Sequence, residues 1–305
     1  MRRERGLAAV TAILIVAVAA SAATLMLAQQ SAMLDQTMLI ASRAQADQYV
    51  RAGLDWARGV LLEDAATSGT FDSLDEGWAQ PIAALPVERA VVSGSIADEQ
   101  GKFNLNNLVT GAQPSKPDVE VFRAILASQG LAPELADAVI DWIDPGDDLT
   151  SAAGAESGYY LALRRPYRAA NQELKQVEEL YRVRGFDAAA VRKLRPHVTA
   201  LPGRTTVNIN TANAVVLAAL LPTRPGEDIA RLVNERRGKP KKSTAEITAW
   251  GKNVPSAALA QLDVKSAFFM VRIQVVQDDV ELASDALVQR VDKGAPAIIW
   301  RRPRY

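Results

Sequence analysis

Leu7-Ala8-Ala9-Val10-Thr11-Ala12-Ile13-Leu14-Ile15-Val16-Ala17-Val18-Ala19-Ala20-Ser21-Ala22-Ala23-Thr24-Leu25-Met26-Leu27-Ala28 is a run of 22 residues without a charge, preceded by Met1-Arg2-Arg3-Glu4-Arg5-Gly6. As a helix rising about 1.5 Å per residue it is roughly 33 Å long, about the hydrocarbon thickness of a bilayer. The run can span a membrane. Three arginines lie before it and none within it, which keeps the short N-terminal segment cytoplasmic and sends the rest of the chain across. The expectation is a single-pass protein with its bulk on the far side.

Two processing routes suit such a start. A secretory signal peptide is cut after its apolar core at an A-x-A-like site, and Ser21-Ala22-Ala23 could serve as one. A cut between Gly6 and Leu7 leaves instead a mature chain that begins with its membrane helix. The second arrangement resembles the type IV prepilin family, in which a short basic leader ends in Gly and the following helix is both anchor and assembly surface. That family usually carries Glu at the fifth mature position, where this chain has Thr11. A carboxylate in lipid is costly without a partner, and its absence sets the chain apart from the major pilins.

From Gln29 to about Asp64 the sequence continues as helix, with no Pro and with Gly only towards its far end. Met38, Ala41, Tyr49, Ala52, Trp56 and Val60 follow at spacings of three and four, interrupted at Gln45, which predicts an amphipathic stripe. Ser68-Gly69, Glu76-Gly77, Pro81 and Pro86 then read as turns, so the helix ends by about residue 67. Arg89 to Ile96 reads as a strand, with Asp98-Glu99-Gln100-Gly101 as a turn into a second at Lys102 to Leu105, together a hairpin. Phe268 to Gln277, Leu282 to Val291 and Ala297 to Arg302 are three more strand candidates, joined by turns at Asp278-Asp279 and Asp292-Lys293-Gly294. In the first, Val271, Ile273 and Val275 alternate with Arg272 and Gln274, the period of a half-buried antiparallel strand. A long helix with an antiparallel sheet is an α+β fold.

The stretch between is helical in pattern and punctuated by Gly and Pro. Phe122, Ile125 and Leu126 make one apolar face, Leu135, Val139, Ile140 and Ile143 a second, and Val177, Leu180, Tyr181 and Val183 a third. An internal echo flanks it: Phe103-Asn104-Leu105-Asn106-Asn107-Leu108 recurs as Val207-Asn208-Ile209-Asn210-Thr211-Ala212. Each copy reads as a strand ending in a helix start, since Asn caps helices and closes turns. The organisation expected is a leader over 1–6, a membrane helix over 7–28, its periplasmic continuation over 29–67, a sheet domain from 68–108 and 205–305, and a helical insertion over 109–204.

The strongest chemistry is acidic. Glu134, Asp137, Asp141, Asp144, Asp147, Asp148 and Glu156 fall between Ala124 and Leu163, a stretch with no Lys or Arg. Asp144-Pro145-Gly146-Asp147-Asp148 is a tight turn that gathers carboxylates, either as a solvated surface turn or around a hard cation. Calcium takes six to eight oxygens from flexible loops, although the spacing is not that of an EF-hand. With no cysteine in the chain, disulfides and thiolate metal sites are excluded.

Asp141-Trp142-Ile143-Asp144-Pro145, Gly154-Ala155-Glu156, Tyr159-Tyr160, Pro166-Tyr167-Arg168-Ala169-Ala170-Asn171, Val177-Glu178-Glu179-Leu180 and Arg184-Gly185-Phe186 resemble the signature of the GspK family, the large minor pseudopilins of type II secretion systems. The resemblance implies a type IV pilin-like fold with a large inserted helical subdomain, and calcium in the acidic region. Asp141, Asp144, Asp147, Asp148 and Glu156 are the ligand candidates it implies. It also implies cleavage between Gly6 and Leu7 by a prepilin peptidase, with N-methylation of Leu7. A tip complex with GspI and GspJ, and GspH as a further candidate member, would prime pseudopilus assembly at the inner-membrane platform. Inner-membrane lipid, the secretin and exported proteins are the other partners implied. A tip subunit has no neighbour above it whose amine needs neutralising, which suits Thr11.

Two other classes are weaker. His197 is the only histidine, and no partner for catalysis is evident beside it; it reads as a surface or capping residue, and no enzyme is expected. Residues 207–233 resemble a helix-hairpin-helix element, followed by the basic run Arg236-Arg237-Gly238-Lys239-Pro240-Lys241-Lys242, which would suit a periplasmic nucleic-acid-binding protein of a DNA-uptake apparatus. The hairpin Pro222-Thr223-Arg224-Pro225-Gly226 offers one Gly and two prolines that lack N–H. With 35 basic and 35 acidic residues the chain has no net charge to draw a polyanion, and no nucleic-acid partner is expected.

Overall fold

A computed structural model describes residues 2–67, 69–251, 254–291 and 294–304, with side chains from Ala9 onward. The first helix, α1 (Arg2–Thr67), runs unbroken for 66 residues, roughly 100 Å at helical rise. Among the described residues it is the one helix long and apolar enough to cross a membrane. Its polar groups in that part are turned inward: the Ser21 and Thr24 hydroxyls donate to Ala17 O and Ala20 O one turn back. The processing junction Gly6-Leu7 lies in the first turns, outside the described side chains.

The second half of α1 packs on a five-stranded sheet. Its strands are β1 (Ile82–Val87), β2 (Ala90–Asp98), β9 (Phe268–Gln277), β10 (Val280–Gln289) and β11 (Ala297–Pro303), in that order and antiparallel at every described pairing. The remaining strands are two-residue pieces: β3 (Phe103–Asn104), β4 (Val109–Thr110), β5 (Gln113–Pro114), β6 (Val198–Thr199), β7 (Val207–Asn208) and β8 (Leu262–Asp263). The expected alternation holds in β9, where Phe269, Val271, Ile273 and Val275 are buried against α1. The turn at residues 292–294 lies partly outside the described residues.

The stripe on α1 is displaced from its expected position. The core face is Ala46, Val50, Leu54, Ala57 and Leu61, each at most 2% exposed, while Ala52 and Trp56 face solvent and Tyr49 and Val60 lie at the border. Size decides the contact. A Cβ on Gly53 would lie 3.0 Å from Ile273 Cδ1, and one on Gly94 the same distance from that atom. The helix therefore approaches the sheet most closely at Gly53, and the bulky Trp56 is left outside.

The expected hairpin after β2 does not form. β2 pairs with β1 and β9, whereas β3 runs parallel to β6, Phe103 opposite Val198. β7 repeats this arrangement with β8. The echoed asparagines explain the preference. Asn104 Oδ1 accepts from Leu201 N at 3.0 Å, and Asn106 binds both N–H and C=O of Leu174 and donates to Leu201 O. Asn208 Nδ2 donates to Asp72 O, Asp98 Oδ2 and Ser266 Oγ, and Asn210 clasps both backbone groups of Lys241. Each copy staples a distant loop to the sheet's exit.

Everything from Gly101 to about Val264 emerges between β2 and β9, neighbours in the sheet. The helices there are α2 (Lys116–Ser128), α3 (Leu135–Ile143), α4 (Ser157–Leu161), α5 (Ala188–Leu194), α6 (Ala214–Leu220), α7 (Gly226–Glu235), α8 (Thr244–Trp250) and α9 (Ser256–Leu259). One hydrophobic core holds them together, from Phe103 and Phe122 through Ile140 and Leu180 to Val216, Leu220 and Val264. The helical unit thus reaches past Arg204, because α6 packs on α2 rather than on the sheet. Arg236, counted in the basic run, is buried, and its guanidinium donates to Ile209 O and Ala212 O. His197 Nδ1 meets Asn213 Oδ1 at 3.1 Å, supporting the N-cap of α6.

Asp98 is the polar node between the two units. Its Oδ2 accepts from Asn208, Thr211 and Ser266, and its Oδ1 from Gln100 N. Burial nevertheless raises its pKa from 3.8 to about 6, with the charge of Asp72 adding to the rise. The folded chain then keeps a proton that the unfolded chain has released between those values, so the contribution of Asp98 to stability is full below about pH 4 and is lost as pH rises through about 6. The loss is on the order of 3 kcal/mol. Asp98→Asn is expected to flatten this part of the stability profile in denaturant titrations between pH 4 and 7; an unaltered slope would contradict the assignment.

Candidate metal centre

The acidic residues are positioned by the end of α3. This helix is buried on almost every side, from Ala136 to Ile143, and it stops at Asp144, whose extended backbone is the conformation Pro145 demands of the residue before it. Asp137 and Asp141 lie one turn apart on it. Asp137 is neutralised, with Arg123 Nη2 at 2.7 Å and Ser151 Oγ donating at 2.6 Å. Asp141 is not. It is 0% exposed, its Oδ1 accepts from Thr150 N, and its Oδ2 has no hydrogen-bond partner among the described residues.

Glu156, in the N-cap position of α4, makes no capping bond. Both its oxygens are buried and without a hydrogen-bond partner. Asp144 Oδ1 accepts from Gly146 N. One ligand atom from each of Asp141, Asp144 and Glu156 lies within 4.8 Å of the others. Burial first, then the charges of Asp141, Asp144 and Asp147, push the Glu156 carboxyl up to about 7. Burial likewise raises Asp144, assisted by Asp141, Asp147 and Asp148. Orphaned buried carboxylate oxygens of this kind fit a hard cation, which would supply the missing positive charge.

The structure thus brings together three of the five sequence candidates. Asp147 and Asp148 are exposed on the turn and outside the three-residue cluster, acting on it through their charges. Two further residues shape the site. Gly154 passes so close to Asp141 that a Cβ there would lie 2.0 Å from its Oδ2. Asn171, with φ +46°, receives no local sequence signal of this role; its N–H donates to Trp142 O and its Nδ2 to Gly146 O, tying the loop from behind. Trp142, Tyr160 and Tyr167 pack edge-on and stacked beneath it at centroid distances of 5.1–6.2 Å, with Tyr160 fully buried.

Comparison with known proteins identifies the family. Two family models described as type II secretion system (T2SS), protein K match residues 101–203 and 207–266, each starting beside one copy of the asparagine echo. Type II secretion system protein K of Aeromonas hydrophila is 33% identical over 295 residues, covering 89% of this chain and 88% of that one. This chain belongs to the type II secretion system protein K family. Its counterpart in Pseudomonas aeruginosa is 32% identical, covering 99% and 93%. The fold is also that of the crystal structure of the GspK-GspI-GspJ complex from enterotoxigenic Escherichia coli, with a TM-score of 0.76, 24% identity and coverage of 88% and 99%. Family membership makes the chain a structural component of type II secretion, a minor pseudopilin.

Proposed function

We propose that this protein K family member sits at the tip of the pseudopilus and primes its assembly, supporting export of folded proteins across the outer membrane. The observation that carries the reading is the state of α1. From Val10 to Ile40 every large apolar side chain is more than half exposed, so this half of the helix needs lipid before assembly and neighbouring helices after it. Cleavage between Gly6 and Leu7 and methylation of the new amine would leave Leu7 as the first residue of an inner-membrane anchor, with the remaining chain periplasmic. The helical unit emerging between β2 and β9 adds bulk that a repeating shaft subunit would have to accommodate at every contact. A single capping copy carries no such penalty.

In the solved structure GspK is in complex with GspI and GspJ; the same smaller pseudopilins are proposed as partners here. Calcium is proposed at Asp141, Asp144 and Glu156, with Asp147 and Asp148 at its solvent side. Its role would be structural: it would hold the acidic loop against α3 in a unit that has no disulfide to do so. Labelling pseudopili through a tag on this chain tests the tip assignment, and label confined to one end supports it.

A further inference from the structure

A second polar site lies where the helical unit meets the sheet. A cleft of about 280 Å³ is bounded by β9, β10 and β11 on one wall and by residues 175–178 and 195–200 on the other. Six cations line it: Lys102, Lys175, Arg195, Arg272, Arg302 and Arg304. Only three carboxylates do, Glu99, Glu178 and Asp285.

Those three are already spread thin. Glu99 is used by Lys102 at 2.7 Å and by the Thr199 hydroxyl at 2.7 Å. Glu178 is shared between Arg195 at 2.9 Å and Arg302 at 3.1 Å. Asp285 is 3.9 Å from both Arg272 and Arg304, beyond hydrogen-bond reach of either, and its Oδ1 is buried without a hydrogen-bond partner. The Lys175 N–H donates to Glu179 Oε1, but its ammonium has no carboxylate partner among the described residues. The cleft therefore keeps an excess of positive charge, with guanidinium donors still available.

Its outer rim is the edge strand β11, the last in the sheet order, so the strand's far side presents backbone groups without a ladder partner among the described residues. Trp300 and Arg302 on it, and Arg304 one residue past its end, alternate and line the cleft. Trp300 Nε1 is buried without a hydrogen-bond partner, and the Arg302 guanidinium is held 4.9 Å over the Trp300 ring. Side chains on one face of an added strand recur about every 6.5–7 Å, the same repeat as these three. We propose that the rim of this cleft binds an extended acidic segment of another polypeptide, added as a strand beside β11 with its carboxylates reaching Lys175 and Arg304.

The test uses the full-length protein in neutral detergent and two fluorescent, end-blocked octapeptides, (Glu-Val)4 and (Lys-Val)4, followed by anisotropy. The glutamate peptide should bind at least about ten-fold more tightly than the lysine peptide, and should weaken with added salt. The double change Lys175→Glu and Arg304→Glu should lower its affinity about ten-fold or more without moving the melting temperature, since neither side chain makes a hydrogen bond that holds the fold. Should that variant unfold, Lys175→Glu alone reads the same question. Absent binding, equal binding of both peptides or an unaffected variant would overturn the proposal. So would displacement of the peptide by citrate at equal concentration, which would mark a small-anion site.

Discussion

Chelating calcium from the full-length protein in detergent is expected to lower its melting temperature by about 5–10 °C. Asp141, Asp144 and Glu156 are at most 8% exposed, and no salt bridge to any of the three occurs among the described residues. Without a cation the loop must hold mutually repelling carboxylates away from water, or bind protons instead, as the raised Glu156 and Asp144 indicate. A cation that binds only the folded state at a hundred times its dissociation constant stabilises by about 2.7 kcal/mol. For a chain of this size each kcal/mol moves the midpoint by roughly 2–4 °C. Magnesium, which prefers stricter geometry and retains water, should restore less of the shift. Scanning calorimetry in calcium and in chelator is the measurement, and superimposable transitions would count against the site.

Gly154→Ala is expected to abolish most of that calcium response and to cost about 2–4 kcal/mol of stability even without the ion. The new Cβ would stand 2.0 Å from Asp141 Oδ2 and 2.9 Å from its Cγ. One of them must move. Asp141 sits on a fully packed helix and cannot retreat, so the Gly154 loop would be displaced, taking Glu156 two residues on with it. Gly154 O also accepts from Arg184 Nη1 at 2.8 Å, a bond the displacement would strain. Gly158→Ala is the control, since a Cβ there meets nothing within 4 Å and lies within α4, where Ala is favoured. Retained calcium response in Gly154→Ala, or its loss in Gly158→Ala, would contradict the geometry.

Much of this architecture was readable before folding is considered. The end of α1 near residue 67 follows from where Gly and turn residues first accumulate, and the alternation of Val271, Ile273 and Val275 defines β9. Other features depend on tertiary contact. The stripe of α1 was misplaced because apolar residues occur on adjacent rows, and the choice between them is made where Gly53 passes close to Ile273. β1 was missed because Pro81 and Pro86 read as turns, yet an edge strand tolerates proline. Nothing local shows that Phe103-Asn104 pairs with Val198-Thr199, since the asparagines act on loops nearly a hundred residues away. Charge density located the acidic loop. Which carboxylates point inward is set by the burial of α3, and the roles of Gly154 and Asn171 exist only once the loop is closed.

A filament cap, the role proposed for this chain, occurs once per pseudopilus and at one end. The number and position of copies are read by gold labelling of a C-terminal tag on filaments sheared from cells making all the pseudopilins. One label at one end of each filament is the predicted result. Labels recurring along the shaft would contradict it.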